Sequence, residues 1–240
     1  MKSFLLMLAF FTRLPCPQTE FTQERYRKGI NMLPLVGLVT GTILYAVSFV
    51  DKILPESIMG IVLYVVYIII TGGLHLDGLA DSCDALFSGR DKDKMLEIMK
   101  DSRSGSFGVL SLIVVSAAYI ILLPQVPREA LLIFPVIGKC APAIAANVAP
   151  YIRKEGMGKM FAENCTLSSA VIAIIFTNVL GYILEPSYIL GVNIAFLSIF
   201  IMSKKIKTLL GGATGDIFGL LCEVSQTIFL LAINIIYFLL

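Results

Sequence analysis

Apolar runs of nearly membrane-crossing length recur along this chain, separated by short polar segments. They lie at Met32–Val50, Ser57–Leu76, Ser106–Pro124, Ala130–Ala149, Leu167–Leu184, Tyr188–Ser203 and Gln226–Leu240. A helix needs about 20 mostly apolar residues to cross a bilayer. Backbone groups in lipid must be hydrogen-bonded internally, and no alternating pattern of ~10-residue strands suggests a barrel. The pattern therefore predicts an all-α fold, a polytopic integral membrane helical bundle of about seven transmembrane helices. The opening "MKSFLLMLAFFTRLPCP" has a short apolar run that breaks at Arg13 and Pro15, with no small-x-small cleavage site after it. It reads as an N-terminal interfacial helix rather than a signal peptide. With no internal repeat, low-complexity tract or linker, residues 1–240 read as a single integral membrane domain.

Composition agrees: 57% of the 240 residues are hydrophobic and 15% charged, and mean hydropathy is +0.87, far above that of a soluble domain. The net charge of +2 matters through its distribution. Segments 13–31, 77–104, 151–166 and 204–225 hold fifteen of the nineteen Lys and Arg residues, whereas 51–57, 124–129 and 185–187 hold only Lys52 and Arg128. Basic residues accumulate on the cytoplasmic side. This predicts a membrane protein with the four basic segments in the cytoplasm, and nothing suggests nucleic-acid binding. The five cysteines are scattered and never paired as CxxC, and His75 is the only histidine. Neither a disulfide framework nor a zinc site is expected.

Against this apolar background, "GGLHLDGLADSCDALFSGRDKDKMLEIMKDSRSGSFG", residues 72–108, stands out. Asp77, Asp81 and Asp84 are spaced i, i+4, i+7, within about 60° of one another on a helix. Three carboxylates on one face repel unless a cation sits among them. Hard divalent ions such as Mg²⁺ take such oxygen ligands together with substrate phosphate. A solvated amphipathic face is the plain alternative, but acids at a membrane edge are expensive, and Gly72, Gly73, Gly78 and Ala80 leave room for close backbone approach. Arg90, Lys92, Lys94 and Arg103 supply the opposite charge, which for the first three is also what a cytoplasmic loop would carry. Arg103 could grip a phosphate, and Gly105 and Gly108 among Ser102, Ser104 and Ser106 could open a helix whose amides favour an anion. The combination suggests metal-assisted phosphoryl transfer.

A second polar cluster, "GGATGDIFGLLCE" at 211–223, places Asp216 and Glu223 seven apart on one helix face among glycines that equally suit helix packing. Lys139, inside an apolar run, must snorkel or find a partner and is a candidate phosphate contact.

"FFTRLPCP" (10–17), "RKGINMLPLVGLVTG" (27–41), the 71–108 stretch, "PYIRKEGMGKMF" (150–161) and "LLGGATGDIFGLLCE" (209–223) together resemble the adenosylcobinamide-GDP ribazoletransferase (cobalamin synthase) family, in order and over nearly the whole chain. The resemblance implies a Mg²⁺-dependent, multi-pass cell (inner) membrane enzyme that joins adenosylcobinamide-GDP to α-ribazole, or to its 5′-phosphate, and releases GMP. Its expected partners are those substrates and the lipid bilayer, with oligomerisation open. Carried over by position, it implies Asp77, Asp81 and Asp84 as metal ligands, with Asp84 also as general base. It further implies catalytic roles for Asp101 and Arg103 of "DSR", Arg103 stabilising the developing oxyanion, and substrate contacts at Ser102 of the same motif and at Thr214, Asp216 and Glu223 of "TGD…E", beside Arg90 and Lys139. Two positions depart from the family pattern: Gly138-Lys139 where a Ser-Arg pair is common, and Gln226 where a second acid is common. A CDP-alcohol phosphotransferase shares the theme of aspartates around "DG" but not its spacing here. A cation transporter using the carboxylates as a permeation site is the non-enzymatic alternative.

Overall fold

A computed structural model describes residues 1–239, and every element in it is helical apart from one isolated bridge, Tyr151 to Ala213. Twelve helices follow in order: α1 Lys2–Phe11, α2 Gln23–Ile30, α3 Leu33–Ser48, α4 Glu56–Thr71, α5 Leu74–Leu86, α6 Lys92–Ile98, α7 Ser106–Leu122, α8 Ala130–Val148, α9 Met157–Asn164, α10 Leu167–Leu184, α11 Tyr188–Leu210 and α12 Gly215–Leu239. Five of them (α3 with its 3₁₀ extension to Lys52, α8, α10, α11 and α12) are long and apolar enough to cross a membrane, and α4–α5 adds a sixth if counted as one bent span. The all-α polytopic bundle is thus what the chain forms. The expected seven spans reduce to five or six because α7, at 17 residues, is short.

Boundaries differ from the hydropathy pattern where glycines intervene. The run 57–76 is not one helix: α4 ends at Gly72 (φ +66°) and Gly73 follows in the same left-handed region (φ +69°), a conformation that favours glycine. The chain turns by 94° into α5. The run 188–203 extends to Leu210, where Gly211 (φ +83°) caps α11. The last span begins at Gly215, not Gln226, so the second polar cluster is the first two turns of α12. Leu240, the end of that run, lies outside the described residues.

Helix α8 is the hub and packs against α3, α10, α11 and α12. Lipid provides little hydrophobic drive between helices, so close approach relies on small residues. Gly37 and Gly41 of α3 sit directly on the α8 backbone at Leu131–Val136, and Gly60 of α4 sits on the carbonyl of Ile120 in α7. The short elements and connections gather at one end. Ile152 N donates to Ala213 O (3.1 Å) and Ala213 N to Pro150 O (2.8 Å), Phe11 packs edge-on against Phe161, and Ser169 Oγ bonds Asn31 (2.7 Å). At the opposite end Arg128 pairs with Asp51 and lies over Phe49. The four basic segments therefore share one end of the bundle.

Candidate functional site

The crossing of α5 and α12 builds the site. A methyl group on Gly78 would meet Asp216 O at 2.8 Å and Asp216 Cα at 2.9 Å, and one on Gly219 would meet His75 O at 2.8 Å. Two glycine contacts thus press the backbones together, and the two acidic clusters, separate in sequence, become one. Asp77 and Asp216 line a common cavity of about 270 Å³ with Phe11, His75, Tyr151 and Arg153. Asp81, one turn along α5, is half-buried and feels the charges of Asp77, Asp84, Asp216 and Arg153. Neither Asp77 nor Asp81 has a side-chain hydrogen bond or ion pair among the described residues, whereas Asp216 is paired with Arg153 (2.6 Å). Two unpartnered carboxylates and a third across the crossing offer oxygen ligands alone, the donor chemistry that a hard divalent cation takes.

Asp84 has a different task. Its two oxygens accept from the amides of Gly105 (2.6 Å) and Gly108 (2.8 Å). The anion at the start of α7 is therefore this carboxylate, which corrects the expectation that those amides receive a substrate phosphate. One acceptor position on each Asp84 oxygen is thereby engaged in a charge-assisted bond, which anchors the expected base to the start of α7.

The other expected residues divide by burial. Thr214 is buried and caps α12: its Oγ1 accepts from Ile217 N (3.3 Å) and donates to Asp216 Oδ2 (3.4 Å). Glu223 lies two turns deeper, about 10 Å along the axis from Asp216. It is 1% exposed and accepts from Tyr67 Oη (2.8 Å) and Tyr119 Oη (2.7 Å). Lys139, also 1% exposed, faces His75 Nδ1 (3.4 Å) and the Phe11 ring. In the folded chain the three expected contacts Thr214, Glu223 and Lys139 thus serve as a helix cap and a buried polar network. That network brings His75 Nδ1, Cys222 Sγ and a Glu223 oxygen within 4.8 Å of one another, but the Lys139 ammonium already faces the same histidine nitrogen.

Asp101 and Arg103 bind each other, Nη2 to Oδ2 at 2.6 Å, on an exposed loop with the Arg103 side chain 87% open. The Arg103 guanidinium holds the Asp101 carboxyl down at about 2. Arg103, Asp101 and Ser102 do not line the cavity, and neither does exposed Arg90, so oxyanion stabilisation by Arg103 is not available in this conformation. The sequence reading missed Tyr151 and Arg153. Their signal was "PYIRKEGMG", which carries the resemblance but whose Arg153 and Lys154 read in the sequence as cytoplasmic loop charge. Burial raises the Tyr151 phenol above its ordinary value, so it faces the cavity as a hydrogen-bond donor.

Residues 3–234 match the family model described as cobalamin-5-phosphate synthase. The chain belongs to that family. The adenosylcobinamide-GDP ribazoletransferase of Alkaliphilus oremlandii is 40% identical over 234 residues, covering 97% of this chain and 96% of the relative. The protein of the same name from Acetivibrio thermocellus is 38% identical, with 96% of each covered, and that of Citrobacter koseri 37%, with 97% and 99% covered. No solved structure matches the chain. Family membership thus rests on the length of the match, and the site on the α5–α12 crossing.

Proposed function

We propose that this chain transfers the adenosylcobinamide phosphoryl group from adenosylcobinamide-GDP to α-ribazole or its 5′-phosphate, releasing GMP, and that Asp77, Asp81 and Asp216 hold the required Mg²⁺. The observation that carries the site assignment is the glycine-mediated crossing that brings Asp216 against the stretch of α5 bearing Asp77 and Asp81, with Asp77 and Asp216 lining one cavity. A ribazole hydroxyl attacks the corrinoid-linked phosphorus and gives up its proton to solvent; the bond from that phosphorus to the bridging oxygen of the anhydride breaks, and GMP departs with that oxygen. Bound Mg²⁺ supplies neutralisation of the pyrophosphate charge. The chain's own part is to position the substrates and donate hydrogen bonds. Tyr151 and Arg153 present donors to the cavity, and Phe10, Phe11, Phe161 and Phe218 give it an apolar wall suited to the uncharged parts of large substrates.

The basic segments belong in the cytoplasm of an inner-membrane protein on this reading, since nucleotide-linked substrates are made inside the cell and the Lys and Arg asymmetry favours it. Purified protein with adenosylcobinamide-GDP, α-ribazole and Mg²⁺ should release GMP and form the cobalamin product. A folded sample that yields neither overturns the reading.

A further inference from the structure

At the α5–α12 crossing four carboxylates gather, and the basic side chain paired with them is Arg153. Its Nη2 donates to Asp216 Oδ2 (2.6 Å) and to the carbonyl of Met99 (3.2 Å). Its Nε is enclosed by protein and has no partner. A guanidinium carries five N–H donors and accepts nothing, so this one is incompletely satisfied. Burying an unpaired donor is unfavourable, so a turn of the guanidinium that brings this donor to an acceptor is favoured. The surroundings keep Arg153 beside the cavity. The backbone bonds between 150–152 and Ala213 tether the loop to the start of α12, and Tyr151, Gly156 and Gly158 of the same loop line the same cavity.

We propose that Arg153 is the resident counter-cation of the acidic cluster, paired with Asp216 while no metal is bound and turned to a phosphate oxygen of the substrate once Asp216 serves a divalent ion. This inference rests on the proposed function. A divalent ion bound at Asp216 repels the guanidinium held on the same carboxylate, so metal binding weakens the ion pair. The released group is a planar fork suited to paired phosphate oxygens. Release of Arg153 and arrival of the pyrophosphate are then linked through one residue, and metal and substrate each favour the other's binding.

The two halves of the proposal predict opposite changes. Mn²⁺ titrated into the purified full-length protein in detergent, without substrate, reports metal affinity by the electron paramagnetic resonance of the free ion. Arg153→Gln removes the competing charge and should bind Mn²⁺ on the order of tenfold more tightly than wild type. At saturating Mn²⁺ the same variant should bind adenosylcobinamide-GDP at least roughly tenfold more weakly in equilibrium dialysis, losing a charge-assisted contact. Arg153→Lys keeps the charge and loses the fork, so its Mn²⁺ affinity should stay near wild type while its affinity for adenosylcobinamide-GDP falls several-fold. Unchanged or weaker Mn²⁺ binding by Arg153→Gln with native helicity would reduce Arg153 to a structural anchor of the loop. Should that variant not fold, wild-type affinity of Arg153→Lys for adenosylcobinamide-GDP would itself overturn the phosphate role. Asp77→Asn separates this from the underlying reading. If it binds Mn²⁺ as wild type does, the metal site itself is wrong. If it binds poorly while Arg153→Gln binds no tighter, only the counter-cation role fails.

Discussion

Gly78→Ala tests whether the α5–α12 contact makes the site. The added methyl would sit 2.8 Å from Asp216 O and 2.9 Å from Asp216 Cα. Ordinary contact begins near 3.4 Å, so the helices must separate by about 0.6 Å. Both obstructing atoms are backbone and cannot rotate aside. Gly219 bears on His75 from the other helix, so a simple tilt gives little relief. Overpacking of this kind costs about 1–3 kcal/mol, against a gain of about 1 kcal/mol from replacing a helical glycine by alanine. The net expectation is a loss of up to about 2 kcal/mol. The functional effect is larger, because the separation moves Asp77 and Asp81 away from Asp216 by about the ~0.5 Å that a preorganised site tolerates. Turnover should fall roughly 10- to 100-fold. Thermal melts by circular dichroism in detergent, with GMP release at saturating Mg²⁺, measure both. Gly181→Ala is the control: the nearest atom to its added methyl lies at 3.6 Å, so it should be neutral or slightly stabilising. Wild-type melting and turnover in Gly78→Ala would refute the argument that this crossing positions the acids.

Asp77→Asn should lower GMP release by orders of magnitude while leaving the melting temperature unchanged, because it keeps shape and removes a charged ligand that has no protein partner. Asp84→Ala should behave differently, destabilising by about 1–3 kcal/mol because two amides at the start of α7 lose their acceptor; calorimetry or a dichroism melt would show it. Gly138→Ser should also destabilise, by about 1–3 kcal/mol, since its Cβ would meet the Gln226 amide and, at 2.7 Å, Cys222 Sγ; Gln226→Ala in the same chain should restore part of the loss. For orientation, single cysteines at Ser88 and Lys205, on a background without the five native cysteines, should resist an impermeant thiol reagent in intact cells and react in inverted vesicles. Glu56 should do the reverse, and labelling of Ser88 and Lys205 from opposite sides would break the shared end.

Much of the architecture was legible in the linear pattern because lipid imposes a local rule: apolar runs near 20 residues must be helical. That rule found where the long apolar helices lie without knowledge of any contact, though not the break at Gly72 and Gly73 or the start of α12, and the Lys and Arg count found the end of the bundle where four segments meet. The spacing of Asp77, Asp81 and Asp84 is likewise a local fact about one helix. The meaning of each aspartate is not, since it depends on which donors or charges lie across from it. Asp84 meets two amides twenty-one and twenty-four residues away, and Asp77 meets none. Thr214 and Asp216 are two residues apart, yet one caps a helix and the other faces the cavity. The two departures from the family pattern, Gly138 and Gln226, prove to be neighbours: the missing side chain at 138 makes room for the glutamine amide, which donates to Tyr67 and Tyr119. Arg153 was visible only as one more loop charge, because its partner lies sixty-three positions on, at Asp216. Helices and their ends follow from interactions within a few residues. The site follows from where two glycine contacts let two helices touch, and only the folded chain contains that information.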